Sequence, residues 1–291
     1  MAPHSQRVAA WAGALAAGTA ATFAVSSRRW DAATRTAMAA VRRQAAPADG
    51  ERTHFALDQL DQLPPAAARY FRFALTEGQP LVRTAMIEHA GTFLMKLGGR
   101  RSRFTSRQLF SARRPAFVWD ARIQMVPLVP MMVRDSYLAG RGAILGRMGG
   151  LVTMVNQAGA PELASGALMR WLAEAVWFPT ALLPSNGVEW EAGEDGTARA
   201  TIRDSGASAT IEMHVGESGQ VERIRADRYR DDQGVSVLTP WSVRVREYGR
   251  VSGMMIPLAG EVEWSLPEGR LVYWRGRVTG TRYELAGAPV R

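Results

Sequence analysis

The chain has 291 residues, 47% of them hydrophobic, and a formal charge of +9 from 36 basic and 27 acidic side chains. That composition excludes a largely disordered chain and allows one large β-rich domain or two ordinary ones. With no cysteine, disulfides, thiolate metal sites, a cysteine nucleophile and a lipidated N-terminal cysteine are excluded as well.

The four histidines, at 4, 54, 89 and 214, stand in no metal-ligand spacing, so neither a metal nor a cofactor is expected. A positive excess ordinarily suggests a phosphate-bearing partner. Here Lys96 is the single lysine among many arginines and alanines, a skew that reads first as genome composition and second as an anionic ligand.

In chain order, Val8 to Val25 (VAAWAGALAAGTAATFAV) carry no charge. As a helix rising about 1.5 Å per residue they cover about 27 Å, just enough for the hydrocarbon core of a bilayer. Half of the stretch is alanine, so three readings stay open: a membrane anchor, a cleaved signal peptide and a buried alanine-rich helix. Arg28 and Arg29 follow at once, which suits lipid headgroups better than a processing site. Arg7 lies before the stretch and Arg28, Arg29, Arg35, Arg42 and Arg43 after it, which points the C-terminal bulk toward the cytoplasm. The expectation is a single-pass membrane protein, with the side of its soluble part open.

Trp30 to Gln44 has helical propensity and ends at APADG. The domain division expected is therefore a membrane anchor over 1–29, a helical stalk and linker over 30–52 and one β-rich domain over 53–291. Pro64-Pro65 begins a second helix with Tyr70, Phe71 and Phe73 on its buried face.

From Ile87 the period becomes two. Strands are expected over 87–97 and 103–110, and a third carries Phe117, Trp119, Ala121, Ile123 and Met125 on one face and Asp120, Arg122 and Gln124 on the other. Pro127 and Pro130 mark 126–133 as an edge, a bulge or an irregular crossing. A strand resumes over 134–145. Within 159–183, Leu168, Leu172, Ala175 and Val176 recur at helical spacing, and Pro179 and Pro184 end the pattern. The remainder is an antiparallel meander near 188–192, 197–204, 207–215, 220–230, 241–248, 254–265 and 270–284, its runs separated by turns such as DSGAS, GESGQ and PEGR.

Chemistry-bearing motifs are few. Gly140 to Gly150 (GRGAILGRMGG) lacks the spacing and the acidic residue of a dinucleotide fingerprint, and glycines that bend a curved sheet are the better account. Lys96 to Arg147 holds eleven basic residues and two acids. That run fits lipid phosphates or a solvated sheet face; nucleic acid is not expected as a partner, because aromatics do not interleave with the charges. Glu174, one helical turn from Arg170 amid apolar residues, must be paired or titrate high.

The order WLAEAVWFPTALLP, GVEW, TPWSVRVREYGRVSGMMIPLAGEVEW and LVYWRGRVTGTRYE resembles a widespread bacterial family known only as a domain of unknown function, over roughly residues 55 to 285. Its members commonly look like single-pass membrane proteins, and no activity carries over. By arrangement the chain also resembles the half-barrel of the lipoprotein-carrier group, whose curved sheet shelters acyl chains. That likeness implies cavity-lining or cavity-closing roles for Glu174, Trp177, Trp190, Arg228, Trp241, Glu261, Trp264 and Tyr273.

The fold expected is α+β and mainly β: a curved antiparallel meander or half-barrel packed by two or more helices, plus an N-terminal transmembrane helix. Three functions fit it. The leading one is non-catalytic binding or shielding of a membrane lipid or other apolar ligand in the sheet's cavity. The others are a hydrolase-type enzyme using Glu174 or Glu261 with an arginine, and a scaffolding domain with a filled core. They divide on whether the helix over 159–183 occupies the concave side or leaves it hollow.

Overall fold

The computed structural model describes residues 4–47, 50, 52–126, 129–194 and 196–287, with side chains from residue 22 onward. Thirteen strands form one sheet in the order β6-β5-β4-β3-β2-β1-β13-β12-β11-β10-β9-β8-β7. The first six are β1 Val82–Phe93, β2 Ser102–Ser111, β3 Ala116–Val126, β4 Val129–Leu138, β5 Arg141–Met148 and β6 Val152–Ala158. The other seven are β7 Glu189–Ala192, β8 Thr197–Asp204, β9 Ala207–Val215, β10 Val221–Asp232, β11 Val235–Val251, β12 Met254–Leu266 and β13 Gly269–Leu285.

Two meanders are thus joined by the antiparallel pairing of the last strand with the first, Val82 opposite Leu285 and Phe93 opposite Trp274. Among the described residues three α-helices accompany the sheet: α1 His4–Gln44, α2 Pro65–Ala74 and α3 Pro161–Glu174.

The sheet curls until its two halves touch. Tyr137 of β4 donates its hydroxyl to Asp204 Oδ2 at 2.8 Å, and Gln157 of β6 donates to Asp231 at 2.9 Å. The chain between the edge strands β6 and β7 crosses the concave side as α3 and three short 3-10 turns, Ala175–Trp177, Pro179–Leu182 and Pro184–Asn186. Pro161 sits in the first turn of α3, where its missing N–H costs nothing. Leu168, Trp171, Leu172, Ala175, Phe178, Leu182 and Leu183 are wholly buried. The concave side is therefore occupied, not hollow.

Several expectations meet corrections here. Of the edge, bulge or irregular crossing expected over 126–133, the edge is not found, since residues 129–138 form a strand interior to the sheet between β3 and β5, while the pairing of β3 with β4 does shift register between Ile123 and Val126. Pro130 is tolerated because it stands second in that strand, and its carbonyl accepts from Gly149 N–H at 2.9 Å. The strand expected over 134–145 is instead the end of β4, a turn at Ala139-Gly140 with positive φ at both residues, and the start of β5. β6 carried no expectation.

The glycines of 140–150 serve turns and close packing. A Cβ on Gly142 would lie 2.6 Å from the Leu163 carbonyl oxygen of α3, and one on Gly150 would lie 2.6 Å from Ser26 Oγ of α1.

Helix α1 runs unbroken from His4 to Gln44, and its C-terminal half lies on the outer face of β2, β3 and β4. Met38 and Val41 pack on Leu109, Ala116 and Val118. Trp30 donates its indole N–H to Asp120 Oδ1 at 2.7 Å, and Asp31 pairs with Arg122 at 2.7 Å. Among the described residues no helix is long and apolar enough to cross a membrane. Most of the expected anchor over 8–25 lies outside the residues whose side chains are described.

Candidate functional site

Strand alternation sends Phe104, Gln108, Trp119, Ile123, Asp135, Ile87 and His89 to the concave face, where α3 brings Arg170 and Glu174 to meet them. Arg170 donates to Glu174 at 2.9 Å and to Asp135 at 2.6 Å, with its guanidinium 4.8 Å from the Trp119 ring centre. Gln108 donates to the other Glu174 oxygen at 2.7 Å.

Burial raises the Glu174 carboxyl above the ordinary carboxylate range, against the pull of Arg170 and Gln108. Beside this group, His89 packs on Trp177 at 4.4 Å and Trp274 at 5.6 Å. Burial first, and the charge of Arg170 second, lower its pKa to about 3, so the ring is neutral at physiological pH. Its two nitrogens, the Ser106 hydroxyl and the Trp177 indole N–H have no hydrogen-bond partner among the described residues. Nor does any carboxylate among them lie within ion-pair distance of His89.

The residues singled out in the sequence divide by position. Trp241 donates to the Tyr273 hydroxyl at 3.1 Å, Tyr273 stacks on Trp264 at 6.1 Å, and Arg228 lies over the Trp241 and Trp264 rings at 5.3 and 5.8 Å while holding the Gly166 carbonyl of α3. These four form one aromatic cover over α3, with Glu174 and Trp177 deeper on the same face. Trp190 stands apart, bonded to the Leu182 carbonyl and edge-on to Phe71 of α2.

Glu261 lies on the opposite, convex face, clasped by Arg246 at 2.7 Å and Arg275 at 3.0 Å. Burial acts to raise its carboxyl, and the two guanidinium groups override that and hold it low. Glu174 and Glu261 are thus separated by the sheet, each with its own arginines.

One feature that the sequence did not foretell is on the outer face. A groove of about 620 Å³ runs between α1 and β4–β5, walled by Val25, Leu145 and Leu151 and by Arg29, Arg134 and Arg147. Among the described residues, no acidic one lines it. Arg134 is engaged: it donates to Thr34 and to the Trp30 carbonyl and its guanidinium lies 4.3 Å from the Trp30 ring centre. Burial lowers its pKa; Asp120 opposes this, and Arg122 and Arg147 reinforce it. Arg29 and Arg147 make no ion pair among the described residues. The signal in the sequence was the basic run over 96–147 together with Arg28-Arg29, but only the docking of α1 brings the two together.

The fold is a curled antiparallel sheet wrapped on its own helix, a half-barrel in shape. The chain belongs to DUF6920, a family of unknown function, which it matches over residues 61–283. No curated protein matches the sequence. Among solved structures it is similar to a LolA superfamily protein from Nitrosomonas europaea, with 10% identity and a TM-score of 0.42 over 77% of this chain and 93% of that one. A domain from Vibrio parahaemolyticus, described as an outer membrane lipoprotein-sorting protein, shows 8% identity and a TM-score of 0.41 over 79% and 92%. A DUF1329 family protein from Desulfovibrio piger shows 12% identity and a TM-score of 0.43 over 80% and 94%.

Proposed function

We propose that this is a membrane-associated, non-catalytic protein that binds an amphiphilic, lipid-like ligand with an anionic headgroup. The observation that carries this reading is the groove beneath α1, which joins apolar walls to Arg29 and Arg147, neither of them ion-paired among the described residues. An acyl chain on such walls gains about 0.8 kcal/mol per buried methylene, and two unneutralised guanidinium groups favour a phosphate or carboxylate over a neutral head. The concave side is filled by α3, so on this reading the ligand lies outside the curl. Membrane association rests on the uncharged stretch 8–25, which belongs to the same helix that walls the groove.

Native mass spectrometry of the full chain, purified and then offered phosphatidylglycerol, is the test. The wild type is expected to carry lipid, and the double variant Arg29→Ala/Arg147→Ala to lose at least 90% of it, since two charge-assisted contacts are removed at about 1.4 kcal/mol per tenfold. A wild type that stays empty refutes the reading. A second reading, a scaffolding domain, is favoured by the wholly buried Trp171 and Leu172 at the centre of the concave side, and it predicts that empty result.

A further inference from the structure

Hairpin tips are ordinarily polar, since they project into water. Two neighbouring tips of this sheet are not. Met125, Val126 and Val129 flank the β3–β4 turn, Leu151, Val152 and Met154 form the β5–β6 turn and its continuation, and all six are between 36% and 60% exposed. The tips are held side by side: Gly149 N–H, at the β5–β6 turn, donates to the Pro130 carbonyl of β4 at 2.9 Å.

Helix α1 meets them at Phe23. A Cβ at Gly149 would lie 3.2 Å from Val129 Cγ1 and 3.5 Å from Phe23 Cε2. Val25, 47% exposed, extends the same surface. From Phe23 the helix continues back to His4, so most of the uncharged stretch 8–25 leaves the sheet at the two tips.

Charge follows the same geography. No acidic residue occurs in 1–30 or in 136–161, whereas Arg28, Arg29, Arg141 and Arg147 fall within those ranges. An apolar patch of this kind, continuous with an apolar helix and bordered by arginine, matches a bilayer whose headgroups are anionic.

We propose that the β3–β4 and β5–β6 tips dock on the surface of an anionic lipid bilayer at the point where α1 enters it. The proposal rests on the membrane association argued above and adds an orientation. Strands β3–β6 stand with these tips toward the lipid, and the groove beneath α1 opens at the membrane surface, where an amphiphile would pass between bilayer and protein.

Because the chain has no cysteine, single reporters are clean. Val126→Cys, Leu151→Cys and Leu57→Cys, the last an exposed apolar position in the 3-10 turn Leu57–Leu60, are each labelled with NBD in the full chain. They are then mixed with vesicles of phosphatidylcholine and phosphatidylglycerol, and flotation is measured on the same samples.

The expected result is that all three variants float, and that NBD at 126 and 151 shifts to the blue with a several-fold rise in emission while NBD at 57 does not change. Variants that float with reporters 126 and 151 as wet as 57 would overturn the docking and leave membrane association standing. A reporter at 57 that shifts as far as the tips overturns it too, because the contact would then have no orientation. Variants that do not float sink both readings together.

Discussion

The two faces of the sheet are each covered by a helix, and they are covered differently. On the concave face α3 presents Leu168, Trp171 and Leu172, wholly buried, and confines charge to one cluster around Arg170. On the convex face α1 lies on a row of charges, its Asp31 interlinked with Arg107, Arg122 and Asp120 of the sheet, with apolar contacts at Met38 and Val41 and at Phe23 beside Gly149.

Apolar packing fills space to crystal-like density. Charged side chains keep their heads apart and hydrated, so a helix resting on them leaves a channel. The sealed face therefore gives this molecule most of its stability, and the imperfectly sealed one leaves the groove on which the proposed binding rests.

The largest effect is expected from breaking the seal. Trp171 is wholly buried and donates its indole N–H to the Ser111 carbonyl at 2.9 Å, so Trp171→Ala should cost about 3–5 kcal/mol, read as a fall in the urea midpoint with an unchanged slope. A loss below about 1 kcal/mol, the size of an ordinary surface change, would mean that α3 is only loosely seated and that the contrast between the faces is false.

A smaller and pH-dependent effect is expected from His89. Its folded pKa of about 3 lies below the ordinary value of 6.5, so the unfolded chain takes up a proton that the folded one refuses. The contribution of His89 is present in full above pH 6.5 and is lost as the pH falls toward the folded value, by about 1.4 kcal/mol per unit. His89→Phe keeps a ring between Trp177 and Trp274 and removes the titration. Urea denaturation at pH 7 and 5 should show the wild type losing about 2 kcal/mol relative to the variant; parallel pH profiles would mean the imidazole is not sealed. Glu174, whose folded pKa is raised, acts in the opposite sense, so the comparison must be made against the single variant.

What could be read from the sequence follows the same division. The seven-strand meander was legible because alternation and turn residues are local: DSGAS and PEGR fall at the β8–β9 and β12–β13 turns. The helical run within 159–183 was legible from its spacing, and so was the need of Glu174 for a partner, though not that Arg170 would be that partner.

That this helix would fill the curl was not, because an apolar stripe does not state which surface it meets. Asp120 and Arg122 alternate as outward residues should, and nothing local foretells that α1 will cover them, leaving Asp120 only 5% exposed. β6 escaped notice because none of its residues is buried, so its pattern carries no period. Of the eight positions picked as cavity-lining, only Glu261 falls on the convex side, since the strand's own alternation sends Trp264 inward and Glu261 outward.

The smallest effect is expected at Glu261, and it tests whether the convex face behaves as a hydrated one. Arg246 and Arg275 each leave about half of their side chains in water, at 54% and 49% exposure, so the two bonds to Glu261 contribute only about 0.2–1 kcal/mol. Glu261→Gln should lower stability by that amount at neutral pH. Because the folded carboxyl is held low, the difference from wild type should shrink as the pH falls through its folded pKa and the proton is taken up. It should shrink too in about 1 M salt, where the screening length falls to about 3 Å. The pair between Arg170 and Glu174, with side chains only 15% and 17% exposed, should be indifferent to the same salt. If salt acted equally on Glu261→Gln and Glu174→Gln, solvent would reach both faces alike, and the outer groove would have no special claim on a ligand.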